Sequence, residues 1–145
     1  PAYEMLRSLV GSEMCIRDSY NTITDEISWV NGGHQPALLR DKNGNFEQVE
    51  SAAPPMGVIQ QKNKSLYKIN RTKLNGKRFY AFTDGLSESL DSKGNEIGIE
   101  GSIKIIEKNF NDDVSKQLSN IAKDVEESSG KNKLSDDLTL IAIGK

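Results

Sequence analysis

LNGKRFYAFTDGLSES, residues 74–89, sets a turn, a strand and an available carboxylate in one short stretch. "LNGK" (Leu74–Lys77) is a turn, and Arg78-Phe79-Tyr80-Ala81-Phe82-Thr83 after it is the most convincing strand in the first half of the chain. At the end of that strand stands Asp84. Gly85 beside it lets the chain turn sharply, which leaves the Asp84 carboxylate free for a ligand.

A second acidic stretch lies near the end of the chain. "SDDLTL" (Ser135–Leu140) leads into Leu138-Thr139-Leu140-Ile141-Ala142-Ile143, which reads as a strand buried on both faces. If the two strands are antiparallel neighbours, the end of one lies beside the start of the other, and Asp84 and Asp136 project at the same rim. Two carboxylates that close raise each other's pKa unless a cation sits between them. A hard oxygen site without Cys or His suits Mg²⁺ or Mn²⁺, and such an ion lowers the pKa of a bound water and orients a phosphate. Spacing alone leaves other readings open: "SDD" is commonly a turn or a helix cap, and "TDG" a loop.

Outward from these stretches, the first half reads as β structure. Ile27-Ser28-Trp29-Val30 is a short strand, and Thr24-Asp25-Glu26 is the turn from a preceding strand ending near Tyr20. Pro36–Arg40 follows the tight "NGGHQP", and "DKNGN" makes a hairpin turn into Phe46–Val49. Pro54-Pro55 opens a loop, and Ser65–Asn70 reads as a further strand. In the second half the period changes. Ile103, Ile106 and Phe110 share one helical face; Val114, Leu118, Ile121, Ala122 and Val125 share another, capped by Asp112 or Asp113. Strands, two helices and a closing strand make an α+β arrangement.

Ser8–Ser19, "SLVGSEMCIRDS", differs in character and holds Cys15, the single cysteine. Its apolar positions fit neither a helical nor a strand repeat, and its apolar run is too short for a secretory signal. Leu9–Asp18 back-translates as CTC GTG GGC TCG GAG ATG TGT ATA AGA GAC, a string that resembles the adapter of transposase-based sequencing libraries. The expectation is that residues 1–19 are a non-native leader, adapter-derived at 8–19, and that residues 20–145 are native sequence.

The chain of 145 residues is 35% hydrophobic and 28% charged with a formal charge of −2, the composition of a globular domain. That charge leaves no electrostatic footprint for nucleic acid, and no apolar run spans a membrane. Apart from Cys15 the chain lacks cysteine, which suits a reducing, cytoplasmic setting.

Four motifs in this order resemble one family: "VNGGHQPALLR" (Val30–Arg40), "PPMGV" (Pro54–Val58), "LNGKRFYAFTDGLSES" (Leu74–Ser89) and "LSDDLTLIAI" (Leu134–Ile143). Tyr20–Lys145 is similar to the metal-dependent type 2C (PPM) serine/threonine protein phosphatases, in the bacterial branch typified by stage II sporulation protein E. The resemblance implies a β-sandwich of two antiparallel sheets flanked by helices, here N-terminally incomplete. It implies two Mn²⁺ or Mg²⁺ ions that activate water for attack on phosphoserine or phosphothreonine. Asp84 matches a metal ligand of that family, and Asp136 matches the ligating member of its closing "DD". Substrates in the branch are phosphorylated anti-sigma-factor antagonists, and a sensor or receiver domain commonly precedes the phosphatase domain.

One departure stands out. The family's bridging Asp lies in a "GD…GHG" segment, and nothing in this chain matches it. The chain is therefore expected to be the C-terminal portion of a phosphatase domain and inactive as written. The alternative is a catalytically silent module that binds a phosphoprotein or sensor on the same fold. Among the remaining candidates, His34 is expected to fix a turn through a ring hydrogen bond. Asp137 is expected to support the ligands from behind, and Thr139 to hold the Asp136 loop. Glu88 is expected to be solvated, and Trp29 to be core.

Overall fold

The structure, a computed structural model, describes residues 15–49, 53–54, 67–91, 94–129 and 137–144. The chain divides into two compact units, residues 1–36 with 49–75 and residues 37–48 with 76–145.

In the first unit β2 (Glu26–Gly32) is the middle strand of a three-stranded sheet, flanked by β1 (Cys15–Asn21) and β5 (Asn70–Lys73). Ile27, Trp29 and Asn31 alternate along β2 and are all buried, the period expected of a strand with one covered face. β1 pairs antiparallel with β2 from Cys15 opposite Gly32 to Asn21 opposite Glu26. This corrects the reading of Ser8–Ser19 as a poor strand: Cys15–Ser19 lie in β1. Antiparallel pairing uses main-chain groups, so a partner strand can impose it where side-chain pattern gives no signal. Asp25 closes the hairpin at φ +53°. Its carboxylate accepts from the Tyr20 hydroxyl at 2.8 Å and from the Asn75 amide at 2.9 Å, which ties the hairpin to the turn after β5. β5 begins at Asn70; of the strand expected over Ser65–Asn70, residues 65–66 lie outside the described residues and residues 67–69 are not strand. Its apolar Ile69 stays exposed, and pairing with β2 sets the register instead.

The second unit carries a four-stranded sheet in the order β4 (Phe46–Val49), β3 (Ala37–Arg40), β6 (Arg78–Phe82), β7 (Leu140–Gly144). Every residue of β6 is buried, as befits an inner strand. Tyr80 and Phe82 pack on one face with Leu38, Leu86, Ile106, Ile121 and Val125. The last three come from two amphipathic helices, α2 (Gly98–Lys108) and α3 (Val114–Ser129); α1 is the short Asp84–Ser87 turn of helix. Each such side chain, fully buried, contributes about 1.5–3 kcal/mol, so this layer is the main source of stability in the unit. Asp113 caps α3, its carboxylate accepting from the Lys116 amide at 3.2 Å. Phe110 lies beyond the end of α2, off its helical face.

The strand expected to be buried on both faces is instead an edge strand among the described residues. β7 pairs with β6 alone, and Ile141 is 48% exposed. Sequence pattern cannot separate the two, because an apolar run is equally compatible with either position.

One polar group is built into this core. Gln117, fully buried on α3, exchanges hydrogen bonds with the Tyr80 hydroxyl and donates to the Ile106 carbonyl at 3.2 Å. Its Oε1 also accepts from Arg78 Nη1 at 2.7 Å.

Candidate functional site

The pairing of β6 with β7 runs from Arg78 opposite Gly144 to Phe82 opposite Leu140. The end of the first strand therefore lies beside the start of the second, as the two acidic motifs require. Thr83 extends the pairing by one step, its amide donating to the Thr139 carbonyl at 3.0 Å. Its hydroxyl then closes the join: Oγ1 donates to the Asp137 carbonyl at 2.7 Å and accepts from the Thr139 amide at 2.9 Å. Asp84 follows directly and opens α1. Asp136, the other expected ligand, lies outside the described residues.

Thr83 occupies the N-cap position of α1, where a threonine hydroxyl usually serves the first turn of its own helix. Here it makes no such cap, because the neighbouring strand takes the hydroxyl. The sequence reading missed this residue. Its signal was present: a threonine between a strand end and "DG", opposite a second threonine at the mouth of the partner strand. Thr139 is exposed and meets Thr83 through its main chain; the Asp136 loop that it was expected to hold lies outside the described residues. Thr139 is not part of a buried strand, since β7 starts only at Leu140.

Gly85 does not turn the chain through a left-handed conformation. It is absent from the glycines with positive φ and sits buried inside α1. The chain leaves β6 by entering a helical turn at once, so Asp84 is presented by a helix start. Asp84 itself is half-buried, and its carbonyl accepts from the Glu88 amide at 2.8 Å and the Ser87 hydroxyl at 3.2 Å. Ser89 Oγ donates to the Gly85 carbonyl at 2.6 Å, which pins the far side of the turn. Asp137 and Glu88 are both exposed.

His34 belongs to the first unit. The turn it was expected to fix is held by Asn31, whose Oδ1 accepts from the His34 amide at 2.8 Å. Asn31 Nδ2 donates to the His34 and Gln35 carbonyls, each at 3.1 Å. A buried asparagine side chain thus does the work by mimicking backbone.

Oxygen donors of this kind suit a hard divalent ion. Among the described residues, however, no group of three His, Cys, Asp or Glu side chains is placed to hold a metal. Asp84 is the one expected ligand that lies among the described residues, and these residues do not make up a dinuclear centre. Among them, too, no helix is long and apolar enough to cross a membrane.

The sequence profile of the family described as Stage II sporulation protein E (SpoIIE) matches residues 5–145. No curated protein matches the chain. Among solved structures, the SiaA-PP2C domain of Pseudomonas aeruginosa superposes with a TM-score of 0.69 at 15% identity, over 84% of this chain and 47% of that one. The phosphatase domain of the cell fate determinant SpoIIE from Bacillus subtilis, presoaked with Mn, gives 0.66 at 12% identity, over 95% and 58%. The RsbU and RsbW domains of a Mycobacterium tuberculosis protein give 0.64 at 21% identity, over 96% and 38%. The likeness is one of fold: two antiparallel sheets with helices. The chain spans between 38% and 58% of the length of these structures.

Proposed function

This chain belongs to the stage II sporulation protein E family, and on that premise we propose that it is the C-terminal part of a metal-dependent phosphoserine/phosphothreonine protein phosphatase domain. The observation that carries the reading is the juxtaposition of Asp84 with the mouth of β7, locked by the Thr83 hydroxyl. In this reading Asp84 and Asp136 are ligands of one Mn²⁺ or Mg²⁺ ion. A divalent ion there supplies Lewis acidity and a water of lowered pKa. The chain's own residues supply position: Thr83 holds the two acidic segments together, and α1 orients Asp84. Asp137, Thr139 and Gly85 brace these segments, while His34 serves its own turn. The substrate class is a phosphorylated regulatory protein of the anti-sigma-factor antagonist type, in the cytoplasm. The likeness in fold to the RsbU and RsbW domains of a Mycobacterium tuberculosis protein supports that direction.

The bridging carboxylate is proposed to lie in upstream sequence that residues 1–19 replace, with 8–19 read as translated adapter. Sequencing the source DNA upstream of the Tyr20 codon checks this; an intact genomic frame through Ser8–Ser19 overturns it. The domain with native upstream sequence should hydrolyse a phosphoserine peptide only with Mn²⁺ or Mg²⁺, and Asp84→Asn should abolish that activity. Unchanged activity in Asp84→Asn removes Asp84 from the site. Binding of the phosphopeptide without hydrolysis by the completed domain favours a silent binding module.

A further inference from the structure

At the opposite end of β6 from Asp84, three cationic side chains converge. Arg40 and Arg78 are directly opposite on paired strands, and a cavity of about 210 Å³ is lined by Arg40, Lys42, Gly76, Arg78, Phe110 and Asp112. The strand between the two ends has five residues, so this cavity lies roughly 15 Å from Asp84 along β6.

The charges here are poorly balanced. Like charges placed opposite each other across a strand pair repel. Arg40 is answered by Glu107, which takes Nε at 2.8 Å and Nη2 at 3.1 Å, and its guanidinium lies 3.6 Å over the Phe110 ring. Arg78 shares the other edge of that contact, its guanidinium 5.0 Å over the Phe110 ring, but it has no carboxylate partner among the described residues. It is 1% exposed, its Nη groups donate only to the neutral oxygens of Asn111, Asp112 and Gln117, and it forms no ion pair among the described residues. Its Nε hydrogen is buried without an acceptor. A buried cation without a counter-charge is costly, and an unmade charged hydrogen bond adds to that cost. Lys42 lies across Gly76, whose lack of a Cβ leaves room for it; a Cβ there would meet Lys42 Cε and stand 3.1 Å from Nζ. The Lys42 ammonium also has no ion pair among the described residues. Against these cations the lining offers one acidic residue, Asp112, which is exposed; Glu107, outside the lining, is already engaged by Arg40.

We propose that this cavity is an anion site that takes a phosphate-type oxyanion, separate from the Asp84 end of the sheet. Its volume equals the liquid share of about seven waters, enough for one phosphoryl group and below the range of pockets for larger ligands. The tetrahedral oxyanion accepts from Lys42 Nζ and supplies the counter-charge that Arg78, buried at the lining, lacks. The same chemistry is met by free phosphate and by a phosphoryl group on a protein.

The test titrates inorganic phosphate into the full chain at constant ionic strength, with chelator present so that a metal site makes no contribution. The readouts are the Arg78 Nε–H resonance of ¹⁵N-labelled protein and the melting temperature. Phosphate should shift that resonance saturably and raise the melting temperature. Lys42→Glu, at an exposed position, should weaken binding about tenfold or more, whereas Lys123→Glu, on the exposed side of α3, should leave it unchanged. A parallel titration with a phosphoserine peptide assigns the source: tighter binding than inorganic phosphate identifies a protein-borne phosphoryl group, and weaker binding identifies the free ion. An Arg78 resonance that does not move overturns the proposal. So does equal weakening by the two lysine variants, or an equal response to chloride.

Discussion

Thr83 and Thr139 are joined twice, once through main chain and once through the Thr83 hydroxyl, at the point where β6 hands over to α1. With its bond to the Asp137 carbonyl, the hydroxyl is used as donor and acceptor together. The mouth of β7 is thereby held against Asp84 by a side chain that contributes nothing to its own helix.

Replacing Thr83 by Val keeps the shape and removes both bonds. The expected loss is about 1–2 kcal/mol of unfolding free energy, measured by urea titration. Thr83→Ser should recover most of it. A Val variant as stable as the parent would show that the join is carried by main chain alone.

Gln117 is the second polar keystone, because one amide serves Arg78, Tyr80 and the Ile106 carbonyl inside the helix layer. Gln117→Leu preserves volume and leaves all three buried groups short of a partner. Chemical denaturation should show a loss of roughly 2–4 kcal/mol. A neutral result would mean that water replaces the amide.

Acid should weaken the contact between the two helices. The Asp124 carboxylate accepts from Lys108 Nζ at 2.7 Å and from Asn109 Nδ2 at 2.8 Å, and the lysine bond above all holds it below its ordinary range. A carboxyl depressed in the folded state contributes stability above its unfolded pKa, and that contribution is lost as pH falls through the folded value. Because Lys108 is largely exposed, the effect is small, on the order of 1 kcal/mol or less. Asp124→Asn should therefore lower the urea midpoint slightly at pH about 7 and make no difference at pH about 2. A gap that persists at the acid end would trace the effect to shape, not charge.

Much of this organisation was legible in the chain. The short strand at Ile27–Val30, the apolar spacing of Ile121 and Val125 and the Asn75-Gly76 turn follow from local steric and hydrophobic pattern, and each appears as read. The antiparallel meeting of the two acidic motifs was also readable, as a condition on the strands, and β6 and β7 satisfy it. What was not readable rests on contacts distant in sequence. β1 is a strand because β2 offers it a complete row of main-chain partners. Asn31 holds the turn at His34 because its amide geometry matches two carbonyls and one N–H, a role that residue type alone did not signal.

The sequence by itself determined the α+β order, the two carboxylate stretches and the family, since these depend on local pattern and on motifs in a line. Only the tertiary structure decided which strand lies at an edge, that Gly85 sits in a helix, and that Thr83 ties the site together. It alone placed Arg78 in the interior without a counter-charge. Each of these depends on which distant group satisfies a buried donor, acceptor or charge, and that is settled only when the chain has packed.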